Sequence, residues 1–183
     1  MATIRNLLGI LCLIALGSYR LPHRHLLNAA EQEREKLVNI ARKEIGVREQ
    51  SGQNDGERVE TYLKAVNLQR GQPWCAAFVS WTFMKAGYAR PRTAWSPFLF
   101  VERVKTKSIK PGNILGIWFP NLKRIAHVGL VEKQAGDWII SIEGNTNIAG
   151  SREGDGVYRK RRLAKSIYAY ADWIKLTEGE KKP

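Results

Sequence analysis

Between Pro73 and Gly87 runs the stretch Trp74-Cys75-Ala76-Ala77-Phe78-Val79-Ser80-Trp81, which carries no charged side chain. Proline suits the first turn of a helix and glycine its end, so the spacing predicts one helix between them. A helix that is apolar nearly all round has no face to offer water and belongs at the centre of a domain. The remaining elements must therefore wrap around it. Cys75 falls in its first turn, where the macrodipole and the unpaired N–H groups favour a thiolate over a thiol.

The flanking segments supply the wrapping. From Ala30 to Ile45 the apolar positions Leu37, Ile40, Ala41 and Ile45 recur at helical spacing, with Gly46 able to end the helix. Asn54 and Glu57 form a workable capping pair for a second helix, whose apolar face is Val59, Tyr62, Leu63 and Val66. Ser96-Pro97 can open a further short helix through Val104. After the turn Lys110-Pro111-Gly112 the period changes from helical to two. Strands are predicted at Ile114 to Phe119, Ala126 to Lys133, Trp138 to Glu143, Gly156 to Arg161 and Ile167 to Leu176. Their connections are too short for parallel crossovers, so the sheet of about five strands is expected to be antiparallel. Helices first and strands second define an α+β domain.

A chain of 183 residues has room for one such domain. Its start reads as an export leader over residues 1–17. Arg5 precedes the apolar run Leu7 to Leu16, and Ala15-Leu16-Gly17 offers a small-x-small cleavage pattern. The run is too short for a comfortable membrane span. A competing reading is an uncleaved signal anchor, since Arg20 and Arg24 follow closely. Residues 18–29 read as a linker, 30–177 as the folded domain and 178–183 as a charged, disordered tail. The expected location is periplasmic or extracellular, or the inner membrane if the leader anchors the chain.

Export simplifies the arithmetic of reactive groups. Cys12 leaves with the leader, so Cys75 is the one cysteine of the domain and has no internal disulfide partner. His23 and His25 lie beside the leader, which leaves His127 as the one histidine of the folded body. The hairpin between the second and third predicted strands allows a geometric expectation. With Gln134-Ala135-Gly136 as a three-residue loop, Lys133 faces Asp137 and His127 directly faces Glu143, with Asn145 as a diagonal neighbour on that face. A carboxylate beside an imidazole fixes its tautomer and stabilises the imidazolium formed when a thiol gives up its proton. Each residue has an inert alternative: a buried core thiol, a structural strand histidine, a surface ion pair.

Three blocks, Gln72 to Trp81, His127-Val128-Gly129 and Ile142-Glu143-Gly144-Asn145, resemble the signature of CHAP domains, the cysteine, histidine-dependent amidohydrolases/peptidases. The resemblance spans roughly Glu31 to Trp173. It implies a papain-like fold and cleavage of peptidoglycan, at the amide joining muramic acid to the stem peptide or at a peptide bond of the stem or cross-bridge. By the same match Cys75 is the nucleophile, His127 the base, Glu143 the orienting acid and Asn145 a supporting polar group. Gln72 and Trp95 are candidate substrate contacts. One departure is Asn113, where relatives often carry Pro-Gly-Asp. No Asp-rich calcium loop is visible, and neither metal nor cofactor is expected.

The net charge of +13 draws the chain toward polyanions, among them acidic wall polymers. A non-catalytic, basic wall-binding module on the same scaffold is therefore the second reading. Nucleic acid is not an expected partner, because export removes the chain from it and no recognition motif is present. Contact with a membrane is expected only through the leader. The runs Arg159-Lys160-Arg161-Arg162 and Arg103, Lys105, Lys107, Lys110 read as solvated faces.

Overall fold

The computed structural model describes residues 28–149 and 154–175. The predicted leader and tail lie outside the described residues, as does the linker apart from its last two positions. Those two belong to a helix: Asn28 caps α1 (Ala29–Arg42) by accepting from the Glu31 N–H, and Glu31 returns the bond to the Asn28 N–H. The linker thus ends earlier than expected. The second helix, α2 (Glu57–Lys64), is not capped by Asn54 as the sequence suggested. Gly56 occupies the cap, and Asn54 adopts a left-handed φ of 54° that turns its side chain toward Asn145.

The central helix is α3 (Cys75–Ala86), and ten of its twelve residues are buried. Trp74 is its cap residue, so Pro73 lies just before the helix and Cys75 is the first helical residue. Gly87, left-handed at φ 97°, closes it. Around α3 gather Leu37, Tyr62, Leu63, Val128, Leu130 and Ile142, all fully buried. Tyr62 stands at the focus of three aromatic contacts, with Trp74, Phe78 and Trp81. The expected single helix from Ser96 to Val104 is two 3-10 turns, Ser96–Phe100 and Glu102–Val104, because Val101 is extended between them.

Among the described residues six antiparallel strands form one sheet, one more than expected. They are β1 (Lys105–Thr106), β2 (Ile114–Phe119), β3 (Arg124–Ala135), β4 (Trp138–Thr146), β5 (Gly156–Leu163) and β6 (Ala169–Ala171), in the order β1-β6-β2-β3-β4-β5. The extra strand, β1, is two residues long and carries no apolar alternation. The last strand is much shorter than predicted. A 3-10 turn at Ala164–Ser166 precedes it, and at its end the Asp172 carboxylate accepts from the Lys175 N–H and starts a helical turn. Burial along β3 runs unbroken from Ile125 to Glu132 instead of alternating. Leu130 faces the helices, while Val131 joins Leu115, Ile139 and Ile167 in a smaller cluster on the other face.

Arg34 of α1 ties three distant segments together. It donates to the Pro111 carbonyl and to Asn113 Oδ1, and pairs with Asp172 at 2.6 Å. Asn113, the departure noted in the sequence, is fully buried and donates in turn to the Ser108 carbonyl at 3.2 Å. The neutral amide thus serves both an acceptor and a donor role that a carboxylate could not fill together.

Gly144 lies tightly under Trp74 and the first turn of α3. A Cβ there would stand 2.6 Å from Trp74 Cζ3 and 2.9 Å from Phe78 Cβ. Gly144→Ala is expected to destabilise the domain by about 1–3 kcal/mol through overpacking, read as a lowered midpoint in urea with an unchanged slope.

Candidate active site

Cys75 is held at the N-terminus of α3 by the burial of the turns that follow it. The residue is 5% exposed and forms part of the wall of a cleft of about 260 Å³. Ser96 Oγ lies 3.7 Å from Sγ. The ring of His127 approaches from β3, so that thiol and imidazole each shift the other. Burial pushes the Cys75 thiol up. That push is outweighed by the hydrogen bond and charge of His127, helped by Ser96 and the backbone at Val128, and the thiol sits below its ordinary value of 9.0.

His127 is buried and its Nε2 donates to Glu143 Oε2 at 2.9 Å. Nδ1 makes no hydrogen bond of regular geometry among the described residues. A proton fixed on Nε2 leaves the lone pair of the neutral ring on Nδ1, the tautomer a base needs if it is to take a proton from the thiol. Burial lowers the affinity of the ring for a second proton, but Cys75 and Glu143 outweigh it and raise the imidazole to about 9.

Glu143, fully buried on β4, accepts four hydrogen bonds: from His127 Nε2, from Ser141 Oγ at 2.6 Å, and from Arg162 Nε and Nη2, both at 2.6 Å. Burial alone would keep this carboxyl neutral. Arg162, then His127, outweigh burial and hold it at about 2.

The two residues meet by a different register from the one expected. The β3–β4 loop is a two-residue turn, Gly136-Asp137, with Gly136 left-handed at φ 58°, so Ala135 pairs with Trp138. That register alone would place His127 and Glu143 on opposite faces of the sheet. A bulge intervenes: Lys133 pairs with Ile140 but Val131 with Ser141, leaving Glu132 as an extra residue. One added residue flips the parity and returns both side chains to the same face. Glu143 then lies against Gly129, where a Cβ would stand 2.4 Å from Glu143 Cγ, and reaches diagonally to His127.

Asn145 does not join the imidazole. Left-handed at φ 54°, it accepts from the Trp74 N–H at 3.3 Å and donates to Asn54 Oδ1 at 2.9 Å and the Gly154 carbonyl at 3.2 Å. It anchors the residue preceding Cys75 and leaves His127 to Glu143. Glu49 shares this work by accepting from Trp74 Nε1 at 2.8 Å. Gln72 and Trp95 do line the cleft beside Cys75, together with Arg124. Sequence reasoning missed Ser96, Arg124 and Arg162. Arg162 was read as part of a solvated basic run, and the β4–β5 register that pairs Ile139 with Arg162 was the signal needed to set it beside Glu143. Among the described residues, no group of three or more His, Cys, Asp or Glu side chains is arranged to hold a metal ion.

Fold and site together define an α+β protein with a buried Cys–His–Glu constellation opening on a cleft. No family model matches the chain, and no curated protein matches it. Among solved structures it is similar to Ly7917 with the hydrolyzing product of MDP, at 17% identity and a TM-score of 0.43, and to Ly7917 alone, at 17% identity and 0.44. The match covers 75% of this chain in both cases, and 61% and 60% of those chains.

Glu143→Gln keeps the shape of the carboxyl but removes its charge. The His127 imidazole is expected to fall from about 9, while Cys75 still holds it up in part, followed by its ring-nitrogen NMR shifts against pH. An unchanged titration would separate the ring from the carboxylate.

Proposed function

We propose that this chain is a papain-like cysteine hydrolase that cleaves an amide bond of peptidoglycan, either the muramoyl–peptide amide or a peptide bond of the stem or cross-bridge. The observation that carries the reading is the anchoring of His127 through Nε2 to a buried carboxylate, with the thiol of Cys75 approached by the other side of the ring. The resemblance of the three motif blocks to CHAP domains supports the choice of substrate class. Residues 30–177 form the catalytic domain in this reading, and the leader exports it to the periplasm or beyond.

Nδ1 of His127 takes the thiol proton, and Cys75 Sγ attacks the amide carbon. The carbonyl electrons move to oxygen, which is met by N–H groups at the start of α3 that precede the first intrahelical bond, Phe78 N–H to the Trp74 carbonyl. The imidazolium gives its proton to the leaving nitrogen as the C–N bond breaks, leaving a thioester on Cys75. Water, deprotonated by Nδ1, then releases the acid and restores the thiol. Glu143 holds the ring through both halves and remains ionised.

The second reading, a non-catalytic basic module, rests on the net charge of +13, part of which lies in the run Arg159 to Arg162. Three of these four cations are engaged within the domain by charge or hydrogen bonding. Arg159 pairs with Glu132, Lys160 donates to the carbonyls of Asn147 and Ile148, and Arg162 holds Glu143. A cleft opening on a perturbed thiol favours catalysis.

With purified peptidoglycan, Cys75→Ala is expected to release no soluble fragments, and release at the wild-type rate would reject the role given to Cys75. Mass spectrometry of the new ends distinguishes the two bonds. For the wild type, the ion pair exists above the lowered pKa of the thiol and below that of the imidazole. The kcat/KM profile should therefore lose its plateau as the pH rises through about 9.

A further inference from the structure

Five arginines of the described residues are committed to a carboxylate. Arg34, Arg42, Arg58, Arg159 and Arg162 each pair with an Asp or Glu. Arg124 does not. It begins β3 after Lys123, whose left-handed φ of 49° turns the chain out of the preceding 3-10 turn. Its guanidinium carbon lies 4.1 Å from the centroid of the Trp95 ring, and Nη1 donates to the Ile125 carbonyl at 3.2 Å. Among the described residues it meets no carboxylate.

Its position gives this spare capacity a use. Arg124 and Trp95 share the wall of the cleft with Cys75, and no residue lining that cleft is acidic. Leu68, Pro73, Ala94 and Ala126 make much of the remaining lining apolar, which strengthens a charge interaction inside it. Stacking occupies one face of a guanidinium and leaves the N–H groups along its edge pointing outward in the plane. That edge is a fork whose spacing matches the two oxygens of a carboxylate. Contact with Trp95 and the bond to the Ile125 carbonyl restrain the side chain, so less freedom is lost when a ligand docks.

We infer that Arg124, seated on Trp95, is a carboxylate-binding subsite of the Cys75 cleft, and that the substrate is an amide with a free carboxylate beside the scissile bond. The inference rests on the cysteine-hydrolase reading and narrows it. Neutral amides fill the apolar part of the cleft but leave the guanidinium unpaired, whereas a carboxylate-bearing residue of a wall peptide satisfies both. Arg124 acts here as a specificity-determining residue and takes no part in the bond-breaking steps.

Two alkylating reagents read the subsite without a known substrate. Iodoacetate and iodoacetamide each pass a methylene carbon to Sγ with loss of iodide, one carrying a carboxylate and the other a neutral amide. Rates are followed at Cys75 by peptide mass spectrometry in the full chain. The ratio of the two rates within one protein cancels any change in the thiol itself. Arg124→Gln is expected to lower the iodoacetate-to-iodoacetamide ratio about tenfold, the scale of one charge-assisted hydrogen bond in a partly buried site. Arg124→Lys should retain part of the preference. Arg161→Gln removes the same charge from a guanidinium stacked on Trp138 outside the cleft, and should leave the ratio as it was. Equal ratios in the wild type and Arg124→Gln overturn the subsite. Failure of both reagents to modify Cys75 overturns the cysteine-hydrolase reading itself, and the subsite with it.

Discussion

An ionised carboxylate with no exposure to solvent is the most demanding feature of this domain. Moving such a group out of water costs several kcal/mol even after relaxation, and the cost is tolerable only when every lone pair finds a donor. Glu143 meets that condition with four hydrogen bonds, two of them from the fork of Arg162. Removing one partner of such a buried pair costs about 3–5 kcal/mol, because it strands the other. The geometry of β3, β4 and β5 is therefore constrained together. Arg162 must come across from β5, Ser141 from the same strand, and His127 from the other side.

From that constraint the chemistry of the site follows in order. Arg162 keeps the carboxylate ionised, the carboxylate keeps a proton on Nε2, and the ring then presents Nδ1 toward the thiol. Glu143 and Cys75 also raise the imidazole, and the imidazole in turn lowers the thiol. In the proposed reaction a basic imidazole and an acidic thiol are the two halves of a single proton transfer, poised by a carboxylate bonded to the far side of the ring. The glycines of the two motif blocks make room for this arrangement. Gly129 leaves space for the Glu143 stem, and Gly144, on the alternate face, lets Trp74 and Phe78 press against the sheet.

The basic character of the chain is divided among several tasks. Arg34 joins α1 to the turn before β2 and to Asp172 near the end of the described chain. Arg42 and Arg159 meet on Glu132, the residue extruded by the bulge, so that the departure from regular pairing is itself tied down by charge. Arg124, like Arg161 on Trp138, is set on an aromatic ring, in its case at the cleft. A formal charge of +13 says nothing of this division, since it weighs all thirty cationic side chains alike.

The central helix, the order of helices before strands, the antiparallel sheet and the place of Cys75 and His127 in the folded body were legible in the sequence. Each is carried by local pattern: an uncharged run between proline and glycine, a change of period, and one cysteine and one histidine in the folded body. The loop type, the parity of the β3–β4 pairing, the length of the last strand and the work of Asn145 were not. A bulge costs no distinctive residue, and Glu132 reads like any strand glutamate until Arg42 and Arg159 close on it. Asn145 looked like a neighbour of the imidazole because strand spacing counts positions and takes no account of a left-handed φ. Local propensity and side-chain chemistry thus settled which groups the protein has to work with. Only packing across the sheet decided which of them touch, because register is a property of two strands and cannot be written in one.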